Sequence, residues 1–127
     1  MNNLITSAGK AALAGLAGDT GTIDPFTYLA VGTSNTAVNV SQTTLVAEVT
    51  DDGLERASAA VSRVTTTVTN DTLQLVKTWT ATDSKTIEEI GIFNASSSGI
   101  MLGRALTTTK TLANQETLTA TYQVIFA

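Results

Sequence analysis

The chain has 127 residues, enough for one domain that buries roughly two-thirds of its unfolded surface, and its seven Lys plus Arg against eleven Asp plus Glu give a formal charge of −4. With no Cys and no His it lacks thiol chemistry, most metal-site chemistry and the commonest general base. Its few cations are scattered, which argues against a phosphate-binding partner, and no run of about 18 apolar residues marks a membrane-spanning helix. The expectation is a soluble, non-enzymatic protein with no cofactor, no metal, no nucleic-acid partner and no membrane partner.

Thr supplies about one residue in five, and its β-branched side chain favours extended backbone, so a mainly β chain is expected. The N-terminus is Ala-rich, but Lys10 interrupts it and no basic residue precedes it, so it reads as a retained helix rather than a signal peptide. From Thr6 to Ala17 the apolar positions Ala8, Ala12, Leu13 and Leu16 form one helical stripe, with Thr6 or Asn3 as the cap and Gly18 as the stop. A strand is expected from Phe26 to Val31, with Phe26, Tyr28 and Ala30 alternating against Thr27, Leu29 and Val31. Ser41 is placed to cap a short helix through Leu45 and Val49 that Asp51-Asp52-Gly53 closes.

Next comes a hairpin, Ala57 to Thr69 and Thr72 to Thr82, joined by a two-residue Asn70-Asp71 turn. Leu73, Leu75, Lys77, Trp79 and Ala81 share one face of its second strand. The segment from Thr86 to Leu106 reads as another hairpin, with Ile90 and Ile92 on one face, Phe93 on the other, and a turn from Asn94 to Gly99. The last strand, Thr117 to Ala127, puts Leu118, Ala120, Tyr122, Val124 and Phe126 on one side. Six or seven short strands with Gly, Asn and Asp turns predict an antiparallel, jelly-roll-like β-sandwich with a short N-terminal helix. Its expected core comprises Leu75, Trp79, Ile90, Ile92, Leu102, Tyr122, Val124 and Phe126.

No motif carries a complete chemistry. Ser7-x-x-Lys10 has the spacing of a Lys-assisted serine nucleophile but lacks the accompanying elements, and solvated helix surface explains it. Glu88 and Glu89 point to opposite faces of a strand, so they cannot form a facing carboxylate pair; one is expected to turn inward and pair with Arg104. Asp51-Asp52-Gly53 and Asn70-Asp71 lack Ca²⁺-loop spacing and read as turns. Gly15, Gly18, Gly21 and Gly99-x-x-x-Gly103 fit neither a Walker loop nor a dinucleotide fingerprint. Trp79, Tyr28, Tyr122 and Phe126 fall on apolar strand faces, which favours core packing over stacking on a sugar or base.

Four pieces occur in a suggestive order: Ile5-Thr6-x-x-Gly9-x-x-x-Leu13, Leu29-Ala30-Val31-Gly32-Thr33, Thr44-Leu45-x-x-Glu48-Val49 and Glu89-Ile90-Gly91-Ile92-Phe93-Asn94. Together they resemble the collar-type N-terminal domain of phage tail fibres and small stand-alone virion proteins of tailed bacteriophages. Two departures stand out. The tail-fibre pattern has an Arg close behind the Glu-Val pair, whereas here Arg56 follows six further residues, and the chain stops at Ala127 instead of continuing into a shaft.

The resemblance implies a non-enzymatic virion protein, made in the host bacterial cytoplasm. The stand-alone length shifts the expectation toward a capsid decoration, or cement, protein that binds the major capsid protein as a homotrimer. A tail-fibre or baseplate adaptor is the alternative, and a carbohydrate-binding module of the receptor-binding apparatus the third reading. Residues 1–127 are expected to form a single β domain in which residues 1–18 are a helical docking segment, separable from the folded remainder. Its expected interface residues are Leu4, Ile5, Ala8, Ala12, Leu13 and Leu16.

Overall fold

The computed structural model describes residues 2–126; Met1 and Ala127, the outer ends of the expected docking segment and last strand, lie outside them. In chain order the elements are β1 (Asn2–Ile5), α1 (Ser7–Gly18), β2 (Tyr28–Gly32), β3 (Ala57–Ser58), β4 (Ala60–Val64), β5 (Thr72–Thr80), β6 (Lys85–Phe93), β7 (Met101–Leu112) and β8 (Thr117–Ile125). They form a five-stranded sheet, β1-β7-β6-β2-β3, and a three-stranded sheet, β4-β5-β8, with every pairing antiparallel. The fold is mainly β and sandwich-like, with one short helix. The chain steps between sheets at Ala59, whose N–H donates to the Thr27 carbonyl at 2.8 Å.

The inner faces meet in one apolar core. Leu75, Trp79, Tyr122 and Val124 from the smaller sheet pack with Leu29, Val31, Ile87, Ile90, Ile92, Leu102 and Ala105 from the larger. The β5–β8 ladder runs unbroken over nine pairs, so the alternation in both strands carries directly to one face. β6 and β7 are less regular. A register shift between Ile87 and Glu89 brings Ile87, Ile90 and Ile92 to the core, while Glu89, the partner of Gly32, lies on the opposite face. A second shift at Ile92/Phe93 leaves Leu102 unpaired in the β6–β7 ladder and turned into the core.

The larger sheet is covered on both faces. Ala30, Leu45, Phe93 and Met101 form a second apolar cluster on its outer side, with Tyr28 packed against it. The segment between β2 and β3 supplies that cover. This explains why Leu29, Ala30, Val31 and Gly32 are all buried instead of alternating as expected.

Several expectations change. No helix forms over 41–49; its only ladder contact is the isolated Gly32–Glu48 bridge, because the Val46 and Ala47 N–H groups are taken by the Glu89 carboxylate. The Asn70-Asp71 connection is a seven-residue loop rather than a two-residue turn, since the β4–β5 ladder closes at Val64–Thr72. Phe126 is 55% exposed, not core: it follows Ile125, the last residue of the ladder, and its N–H donates to the Asp71 carbonyl at 2.9 Å, where strand alternation no longer aims it inward. Asp19 in the left-handed region, not Gly18, caps the end of α1, its N–H reaching the Leu16 carbonyl.

Candidate functional site

Two ion pairs organise the outer face of the larger sheet. Glu89 and Arg104 are 0% and 1% exposed, with Nε donating to Oε1 at 2.8 Å. Glu89 also accepts from the backbone N–H groups of Val46 (3.0 Å), Ala47 (2.8 Å) and Ser34 (3.3 Å). Arg104 Nη1 donates to the Thr36 carbonyl at 2.8 Å. The expected Glu–Arg pairing is therefore present, with Glu89 as the buried acid, on the outer face rather than turned to the core, and both partners grip the 33–47 segment. Glu88 remains at the surface, where it accepts from the Thr109 hydroxyl at 3.1 Å. A carboxylate so fully engaged is a structural group.

Arg56 makes the second pair. Its Nη2 and Nε donate to the two carboxylate oxygens of Glu48 at 2.8 and 3.0 Å, a bidentate geometry. Its Nη1 reaches the carbonyls of Ser98 at 2.8 Å and Ala95 at 3.1 Å, and its guanidinium lies 3.6 Å from the Phe93 ring centroid. Sequence reading treated Arg56 as displaced from Glu48; the fold returns it there. These two residues, with Thr50, Glu55 and Ser96 to Ser98, line a cleft of about 380 Å³. Its serines share that lining with an acid and an Arg already committed to each other.

The other motif residues also have partners or simple surface positions. Lys85 Nζ donates to Asp51 and Asp52, at 3.0 and 2.9 Å, and these hydrogen bonds, to Asp52 first and then Asp51, raise the Lys85 pKa. The Asp71 carboxylate receives the N–H groups of Val68, Thr66 and Thr67 at 2.7 to 2.9 Å, which holds its pKa well below the usual carboxylate range, Val68 and Thr66 contributing most. It is the organiser of the 65–71 loop. Ser7 and Lys10 are both exposed on α1. Burial pushes the Tyr122 hydroxyl pKa up.

The expected docking residues are built into the domain. β1 extends the larger sheet by pairing with β7, from Asn2–Leu106 to Ile5–Gly103. Thr6 Oγ1 accepts from the Gly9 N–H at 2.9 Å as the helix cap and donates to the Met101 carbonyl at 2.7 Å, while its N–H reaches the Leu102 carbonyl at 2.9 Å. Ala12 is 2% exposed within the main core, and Ile5, Leu13 and Leu16 are partly buried against it. Leu4 and Ala8 are also half-buried.

Leu13 and Leu16 border an apolar groove of about 330 Å³ with Phe26, Val61, Leu73 and Phe126. The sequence named two of these six as interface residues. Strand alternation put Phe126 in the expected core instead, and Val61 was given no role. No family model matches the chain, and no curated protein matches it.

Proposed function

We propose that the chain is a non-enzymatic structural protein of a tailed-bacteriophage virion, a decoration protein that seats on the major capsid protein through the face around α1. It acts as repeated copies, as a homotrimer by the resemblance, is made in the host cytoplasm and resides on the virion. The observation that supports this best is the convergence of the four resemblance pieces on the β6–β7 hairpin. Thr6 bonds to Leu102, Gly32 pairs with Glu89, and Val46 and Ala47 bond to the Glu89 carboxylate. Pieces far apart in the chain thus form one connected unit, as a shared structural module requires.

A second virion role has its own support. The Arg56–Glu48 pair restores in space the acid–Arg association that the tail-fibre pattern places in sequence, which favours an adaptor that anchors a fibre. Sugar stacking draws less support. Of the four aromatics weighed for it, Trp79 and Tyr122 are buried, Tyr28 packs against the outer apolar cluster and Phe126 alone is exposed, with no second exposed ring among the described residues of its groove to form a platform.

The docking face is the apolar groove beside α1, where Phe126 and Val61 are 55% and 44% exposed. Co-sedimentation with purified capsid shells of the parent phage tests it. The natural chain is expected to bind saturably, and Phe126→Asp to lose at least tenfold in affinity while keeping its fold. Equal binding by the variant would move the docking face elsewhere, and no binding by the natural chain would remove the capsid as partner.

A further inference from the structure

The two sheets are unequal, and the mismatch falls at one edge. Because the chain passes from β3 to β4 through Ala59 alone, the sheets are aligned on that side. Five strands against three then leave β7 and β1 extending past β8 on the other. An opening of about 180 Å³ lies there between the sheets, lined by Val31, Ile87, Ile90, Leu118, Ala120 and Lys110 among others. β8 is the terminal strand of its sheet, and among the described residues no strand pairs with its outer edge.

Natural edges are usually short, charged, bulged or interrupted by Pro, since an open edge invites another strand. Three of the four edges here follow that practice: β1 has four residues, β3 has two, and β4 has five including Arg63. β8 does not. It has nine residues, no charge, no Pro and no bulge in its ladder with β5.

We infer that the Thr117–Thr121 part of the β8 edge is a binding site for an extended, uncharged peptide segment of a partner protein, which adds as a fourth strand. Main-chain hydrogen bonds to β8 hold it, and alternate apolar side chains enter the opening beside Leu118 and Ala120. A single strand fits where a second whole domain does not. Bringing two β8 edges together about a two-fold axis would drive the overhanging β7 and β1 of one copy into those of the other. The inference is independent of the virion assignment.

The test titrates the full chain with a labelled peptide of the Thr72–Thr80 sequence in which Val replaces Lys77, the residue opposite Ala120, so that the probe is uncharged while its other side chains match β8 as in the β5–β8 ladder. Saturable binding of one peptide per chain is expected, with at least tenfold weaker binding for the same peptide N-methylated along both edges. Ala120→Lys, which puts a charge into the opening, should weaken binding at least tenfold with an unchanged circular-dichroism spectrum. Thr119→Lys, on the outer face, should stay within about twofold. Absent binding, binding indifferent to N-methylation, or equal loss at both positions would overturn the inference. So would peptide-independent self-association that Ala120→Lys abolishes, because it would make a second copy the occupant.

Discussion

Glu89 and Arg104 lie diagonally across β6 and β7, 2.8 Å apart and shut off from solvent, and each also bonds to the backbone of the segment that covers them. The pair joins a sheet to a loop that has no regular structure of its own. A buried ion pair contributes little net stability against a well-packed apolar replacement, but removing one partner strands the other.

Glu89→Gln should therefore cost about 3 to 5 kcal/mol, the usual penalty for leaving a buried charge uncompensated. Chemical denaturation gives the total, and limited proteolysis should show new cleavage within residues 33–47. A paired replacement, Glu89→Gln with Arg104→Met, which leaves no buried charge and keeps an oxygen for the covering N–H groups, should be milder than Glu89→Gln alone.

Trp79 and Phe126 should respond in opposite ways to truncation. Trp79 is 4% exposed and its indole N–H donates to the Glu55 carbonyl at 2.8 Å. Trp79→Ala is expected to cost about 3 to 5 kcal/mol. Phe126→Ala, at an exposed position, should fall within about 0.5 kcal/mol of the natural chain. Unfolding midpoints in urea distinguish the two.

Gly9 tests the seating of α1. A methyl group there would run into the Leu102 backbone, so Gly9→Ala should destabilise by about 1 to 3 kcal/mol although Ala ordinarily favours a helix interior. A thermal scan that shows a raised midpoint would mean that α1 does not sit against β7.

The pH dependence of the 65–71 loop follows from Asp71. Its pKa is lowered in the folded chain by backbone N–H donors, so its contribution is complete above the unfolded carboxylate range, about 4, and is lost as pH falls through the lower folded value. Asp71→Asn should remove that acid-side dependence. At neutral pH it should speed amide hydrogen exchange at Thr66, Thr67 and Val68.

Much of the sandwich is legible in the sequence where a strand has one wet face. β5 and β8 show this best: Leu75, Trp79, Tyr122 and Val124 are internal because simple alternation survives an unbroken ladder. The Glu89–Arg104 pairing was also readable from their places across one hairpin, although Glu89 is buried on the outer face by the covering segment rather than turned to the core. Alternation fails where both faces are covered, as in β2, and where the register shifts, as at Ile87/Glu89. Local pattern is also blind to long-range competition. Residues 41–49 carry capping and apolar signals, yet the distant Glu89 claims their N–H groups.

The docking segment illustrates the same limit. Small residues in α1 suggested a detachable surface helix, but Ala12 packs into the main core and β1 is hydrogen-bonded to β7. Deleting residues 1–18 should thus lower stability or abolish cooperative unfolding, rather than leave an intact domain. Point changes in the groove are the cleaner probe of docking.

The copy number of the chain in purified virions, by quantitative mass spectrometry against the major capsid protein, tests the virion assignment most directly. A capsid decoration protein is expected in hundreds of copies, in fixed ratio to the capsid subunit. A single ring of copies would place it in the tail as an adaptor instead, and its absence from purified particles would contradict a structural virion role altogether.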